Sequence, residues 1–154
     1  MRTLSSRRRV LLSVSLAGLV PRIALAQDQQ VLAARAFERN IVAVTQGATL
    51  RNERVRLDIA PLIDNGNTIP IEITVDSPMT PADFVRRIVV INERNPLPEV
   101  ANFNFTAASG KAQVATRIRL ATSQQLIAIA QMSNGTFWAA RADVIVTLAA
   151  CIED

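Results

Sequence analysis

The 154-residue sequence contains no His, no Tyr and a single Cys, Cys151. Without His the chain cannot build a Ser-His-Asp triad, a Cys-His pair, an imidazole metal site or an axial haem ligand of that type. One Cys cannot close an intramolecular disulfide or furnish a Cys-rich zinc or iron–sulfur site. There is no nucleotide-binding loop and no paired-acid motif, so catalysis by this chain alone would rest on carboxylates that are not suggestively placed. Asp76, Asp83 and the acids near them lack the spacing of a calcium loop. No metal and no cofactor is expected. Aromatic residues make up only 4%, and Trp138 and the five Phe read as core.

What is present in excess is positive charge, 17 Lys plus Arg against 13 Asp plus Glu, for a net +4. Its location decides its meaning. Residues 1–26 have the three parts of an export signal: a basic start ending in Arg7-Arg8-Arg9, an apolar run over Val10–Val20, and the small-residue site Ala24-Leu25-Ala26. The apolar run is too short for the roughly 20 residues that a spanning helix needs. Ser6-Arg7-Arg8-Arg9-Val10-Leu11 follows the twin-arginine pattern, and Arg22 before the cleavage site suits that route. The expectation is a bacterial protein exported folded to the periplasm and cleaved between Ala26 and Gln27, with no stable membrane insertion afterwards. Removing Arg2, Arg7, Arg8, Arg9 and Arg22 leaves 12 basic residues against 13 acids, a net of about −1. The case for a nucleic-acid partner goes with them.

The rest divides into an N-terminal helix (27–47), a β-domain (48–148) and a short C-terminal arm (149–154). Val31, Leu32, Ala34, Phe37, Ile41 and Val42 recur at helical spacing, with Asp28 as N-cap and Gly47 as stop. Alternation then predicts strands over 54–62 and 68–75, joined by a hairpin-type turn at Asn65-Gly66. Further strands are predicted over 84–92, 100–106, 112–120, 124–131 and 137–148, with turns at Ala108-Ser109-Gly110-Lys111 and Ser133-Asn134-Gly135-Thr136. About seven short strands at regular spacing predict an all-β, immunoglobulin-like antiparallel sandwich with one N-terminal helix. A mature chain of this size buries enough core to need no disulfide.

Cys151 is the one unusual reactive group. It lies just past the last predicted strand, where chain ends are commonly exposed. Its position leaves three readings, an incidental terminal Cys, an intermolecular disulfide or a reactive thiol. Cys151-Ile152-Glu153-Asp154 has prenylation-box spacing but the wrong chemistry, with acids at the last two positions. The sequons at Asn104 and Asn134 are chance matches in a bacterial exported protein.

Several motifs occur in one order: Ile69-Pro70-Ile71 after an Asn-Gly turn, Ser77-Pro78-Met79-Thr80, the run from Arg87 to Asn95-Pro96-Leu97-Pro98, Asn102-Phe103-Asn104-Phe105, Gly110–Ala121 and Met132–Trp138. In these, the chain from about Gln30 to Cys151 resembles the SoxY family, sulfur-carrier subunits of the periplasmic thiosulfate-oxidising Sox system. The resemblance implies a carrier, not an enzyme. It implies a heterodimer with a SoxZ-like subunit, and Cys151 as the covalent attachment point for thiosulfate-derived sulfur. SoxXA would load it oxidatively, SoxB would hydrolyse the terminal sulfonate, and a SoxCD-like enzyme would oxidise the remaining sulfane sulfur. An unperturbed thiol is only about 3% thiolate at pH 7, so those partners would supply activation.

The arm departs from the family's Gly-Gly-Cys-Gly-Gly. Ala149, Ala150 and Ile152 flank Cys151 here, followed by Glu153 and Asp154. Alanine has fewer backbone states than glycine, and the acids disfavour the thiolate and repel thiosulfate. The departure implies altered cargo or partners, or partner pockets that compensate. The alternative function is a noncatalytic sandwich module whose Cys151 forms a disulfide with a partner.

Overall fold

The computed structural model describes residues 22–148. They form one helix, α1 (Arg22–Thr45), and nine strands: β1 (Leu50–Arg51), β2 (Val55–Asp58), β3 (Leu62–Asn65), β4 (Ile69–Val75), β5 (Val85–Asn92), β6 (Glu99–Asn104), β7 (Gln113–Ile118), β8 (Gln124–Met132) and β9 (Phe137–Leu148). The larger sheet runs β1-β9-β8-β5-β6, with β3 beside the C-terminal part of β9; the smaller sheet runs β2-β4-β7. The two pack into a sandwich, as the strand pattern predicts. None of the described helix is long and apolar enough to cross a membrane.

Three layers explain the sequence pattern. Strands β5 and β8 are buried on both faces. Ile88, Val90, Leu126, Ala128 and Ala130 face the smaller sheet, while Val89, Ile91, Ile127 and Ile129 lie under α1 against Phe37 and Ile41. Their sequences are therefore continuous apolar runs. A register shift between Val85 and Arg87 brings Val85, Ile88 and Val90 into the same inter-sheet core. Strand β4 is covered on one face only, and it alternates: Ile69, Ile71, Ile73 and Val75 are buried and the residues between them are not. Pro70 is tolerated because β2 ends opposite Glu72, so that only β7 flanks Pro70.

Four details differ from the sequence reading. Helix α1 begins at Arg22, so Asp28 lies exposed inside it and is not its N-cap. The segment Ile23-Ala24-Leu25-Ala26-Gln27 consists of adequate helix formers with no breaker, and the helix runs through it. The stop does fall at Gly47, whose N–H donates to Val42 O at 3.1 Å, with Gln46 and Gly47 both at positive φ.

Next, the span 54–62 is not one strand. It breaks around Pro61, and the chain crosses from the smaller sheet to the larger one as β3. Asn65-Gly66 therefore joins strands of different sheets and is no hairpin, although β2 and β4 do pair antiparallel. The 54–62 and Asn65-Gly66 readings missed this because alternation does not say which sheet a strand joins. Strand β1 was too short for periodicity to find. Last, β1 and β3 pair with β9 in parallel, unlike the antiparallel remainder.

Candidate functional site

The predicted attachment residue Cys151, its neighbours Ala149, Ala150 and Ile152, and the signal residues Arg7 and Arg8 lie outside the described residues. Ala24 and Ala26 fall within α1. The structure describes the chain up to the root of the arm.

That root is clamped. Past Val144, which pairs with Gln124, strand β9 has no further β8 partner and is held by β3 instead, with Leu62 opposite Ile145, Ile63 opposite Val146 and Asn65 opposite Leu148. Ile145 N–H donates to Pro61 O at 2.9 Å, and Gly66 N–H donates to Leu148 O at 2.8 Å. Thr147 Oγ1 donates to Asp64 O at 3.0 Å. On the side that β8 has vacated, Ser123 Oγ accepts from Val146 N–H at 2.9 Å and lies 3.3 Å from Val146 O. One serine hydroxyl thus takes the place of a strand neighbour. Gly66 O also accepts from Leu120 N–H at 2.9 Å, so a single residue ties the root of the arm to the segment after β7.

The Asn-Pro-Leu-Pro segment stands at the same end. Asn92 is 1% exposed; its Nδ2 donates to Leu97 O and Pro98 O, and its Oδ1 accepts from Asn95 N–H. Asn95 Nδ2 donates to Arg119 O at 2.8 Å, and Asn95 Oδ1 accepts from Ala121 N–H and Gln124 Nε2. Gln124, 6% exposed, accepts from Arg94 N–H at 2.8 Å. Three side-chain amides satisfy the backbone of two connections and lock them together. Asn92 and Asn95 stand in a sequence motif that assigns them no role, and Gln124 stands out in no motif. The available signal was amides placed where two apolar strand runs begin and end.

Other motifs serve packing. Met79 is buried at positive φ (50°), with its N–H donated to Ser77 Oγ at 3.3 Å. Trp138 packs against the inter-sheet core at the opposite end, as expected, with the guanidinium of Arg54 at 5.0 Å and that of Arg51 at 5.6 Å from its ring centroid. Arg54 also pairs with Asp83 at 3.4 Å. A shallow depression of about 370 Å³ opens there, lined by Arg54, Arg56, Thr74, Asp76 and Lys111 among others. Among the described residues, no three His, Cys, Asp or Glu converge as a metal site would need.

The reach of the arm follows from chain geometry. Three peptide units separate Leu148 from Cys151, so the two Cα atoms are at most roughly 11 Å apart. Whatever acts on the Cys151 sulfur must approach this end of the sandwich.

The family model described as sulfur oxidation protein SoxY matches residues 41–151, a span that closes on Cys151. No curated protein matches the chain in sequence. Among solved structures, a superoxide reductase (neelaredoxin) from Ignicoccus hospitalis superposes with a TM-score of 0.54 at 18% identity, covering 61% of this chain and 80% of that one. A putative superoxide reductase from Thermotoga maritima gives 0.56 at 18%, covering 63% and 93%. One from Nanoarchaeum equitans gives 0.53 at 16%, covering 62% and 100%. At these identities the likeness is one of fold.

Proposed function

The chain belongs to the SoxY family of sulfur oxidation proteins, and from that premise we propose that it is a periplasmic sulfur carrier that holds thiosulfate-derived intermediates covalently on Cys151. The observation that carries this reading is the family match running to Cys151. The clamped strand end three residues before it, on a chain with no His, supports the reading further. The chain presents the sulfur and its partners do the chemistry.

In the loading step the Cys151 thiol gives up its proton, and Sγ bonds to the outer sulfur of thiosulfate. Two electrons pass to a haem-containing SoxXA-type partner. In the next step water attacks the sulfonate sulfur on a SoxB-type enzyme. The bond to the sulfane sulfur breaks, sulfate and a proton leave, and a persulfide remains on Cys151. A SoxCD-type enzyme would then take six electrons from that sulfane sulfur, with water supplying three oxygens and seven protons released, to leave a sulfonate on the Cys151 sulfur. The carrier works as a heterodimer with a SoxZ-type subunit. Partner channels that receive this arm must pass Ile152 and meet Glu153 and Asp154 with positive charge.

Export precedes this cycle. Cleavage after Ala26 removes the first turns of α1 and keeps Phe37 and Ile41, the helix side chains buried on the larger sheet. The mature helix therefore retains its packing.

The test is intact-mass measurement of the mature protein after incubation with its SoxZ-type and SoxXA-type partners and thiosulfate. Wild type should gain one sulfane sulfur plus one sulfonate, and Cys151→Ser should gain nothing. An adduct that survives Cys151→Ser, or none on wild type, rejects the reading.

A further inference from the structure

Residues 100–142 contain no Asp and no Glu; their basic residues are Lys111, Arg117, Arg119 and Arg141. Arg117 lies in β7 and Arg119 just past its end. Both are exposed, while Ile118 and Leu120 are buried in the inter-sheet core. The two guanidinium groups therefore project from the outer face of the smaller sheet. Among the described residues neither is in a salt bridge. Asp58 and Glu72, which share a depression with Arg117, are engaged already, Asp58 with Arg56 Nε at 2.7 Å and Glu72 with Gln113 Nε2 at 2.6 Å. We propose that Glu153 and Asp154 dock on Arg119 and Arg117, so that a carrier free of its partners keeps the arm latched to its own surface.

Reach and charge select this occupant. Gly66 joins the two places, because its N–H donates to Leu148 O at 2.8 Å and its O accepts from Leu120 N–H at 2.9 Å. These bonds hold Leu148 Cα within roughly 14 Å of Arg119 Cα. Five peptide units separate Leu148 from Glu153, enough to span roughly 18 Å when extended. Asp154 reaches one unit further, and Arg117 lies roughly 7 Å beyond Arg119. The arm therefore reaches both arginines with slack, and a guanidinium fork matches a carboxylate. The receiving surface is preorganised. Asn95 Nδ2 donates to Arg119 O at 2.8 Å, and Asn95 Oδ1 accepts from Ala121 N–H at 2.9 Å. Docking thus orders the arm alone. An exposed ion pair is weak, but the tether supplies the carboxylates at an effective concentration in the millimolar range. The contact is then populated and still readily broken. The latch stands whatever Cys151 carries. Its use rests on the carrier reading: between encounters the sulfur stays at the carrier's own surface, and a basic partner channel draws the same two carboxylates away.

The experiment uses the mature protein in complex with its SoxZ-type subunit, with a nitroxide attached to Cys151 through a disulfide. Paramagnetic broadening of backbone amides is read by NMR in the wild type, in Glu153→Gln with Asp154→Asn, and in Arg117→Gln with Arg119→Gln. The Leu148 amide at the arm root should be broadened in every form, and the Trp138 amide at the opposite end in none. In the wild type at low salt, the Thr116 and Ile118 amides beside the two arginines should be broadened as well. Both double variants should lose that extra broadening by roughly threefold or more. So should the wild type in about 1 M salt, where the Debye length is about 3 Å. Undiminished broadening at Thr116 and Ile118 in either double variant, or in high salt, overturns the latch. So does wild-type broadening centred on any other surface. No partner enzyme takes part, so the two readings fail separately. A wild type that does not load thiosulfate loses the carrier reading and keeps the latch; a missing latch leaves the carrier reading untouched.

Discussion

Ser123→Ala probes the clamp at the root of the arm. In the wild type, Val146 N–H donates to Ser123 Oγ at 2.9 Å, and the same oxygen lies 3.3 Å from Val146 O. On that side of β9 the β8 ladder has already ended, at Gln124 opposite Val144. Alanine removes the oxygen and leaves a half-buried amide without its partner. A net hydrogen bond contributes about 1 to 1.5 kcal/mol. Local opening of residues 145–148 should therefore become roughly 5- to 13-fold more frequent. Amide hydrogen exchange by NMR reads this directly, with Val146 as reporter and Ile129 in the doubly covered strand β8 as reference. Val146 should exchange faster by that factor while Ile129 changes less. An unchanged Val146, or an equal acceleration at both amides, refutes a clamp local to the arm root. In the first case the hydroxyl contributes nothing there; in the second the effect is global.

Four further substitutions test the packing and one of the turns. Asn95→Ala deletes bonds to Arg119 O, Ala121 N–H and Gln124 Nε2, and should cost about 2 to 3 kcal/mol in urea denaturation; a loss under about 0.5 kcal/mol contradicts the assigned network. Phe37→Ala should cost about 3 to 5 kcal/mol in the same assay, because Phe37 is 3% exposed between α1 and the larger sheet. Leu32→Ala on the same helix should cost no more than about 0.5 kcal/mol, and equal effects would mean that α1 does not pack through Phe37. Gly135→Ala should lower thermal stability by about 1 to 2 kcal/mol through backbone strain alone, since φ is 81° and nothing lies within 4 Å of an added Cβ; an unchanged melting temperature would show that the turn relaxes.

Much of this fold could be read from single-residue patterns, and the reason is local. Strands β4, β7 and β9 each have residues whose side alternates between core and solvent, so their limits followed from alternation. Gly47 and Gly135 sit at positive φ where the helix stop and the β8–β9 turn were expected. What escaped were relations between distant segments. After Pro61 the chain leaves the smaller sheet and pairs as β3 with β9, some eighty residues later, and no spacing within 54–66 encodes that partner. Strand β1 is held by only two residues. The start of α1 was set by helix propensity continuing through residues 22–27, which outweighed the capping potential of Asp28. For the site, the sequence pointed to Cys151 by elimination of other chemistry and by family resemblance. The buried amides Asn92 and Gln124 became recognisable only once the two ends of the sandwich were distinguished.

The central claim is that the sulfur passes through Cys151 and leaves it again. Peptide-level mass spectrometry of the C-terminal fragment, sampled during turnover with SoxXA-type and SoxB-type partners and thiosulfate, tests it most directly. The account predicts a thiosulfate-derived adduct on Cys151 that converts to a persulfide as one sulfate per carrier is released. An adduct on any other residue, no adduct at all, or a Cys151 locked in one protein disulfide throughout turnover would contradict it.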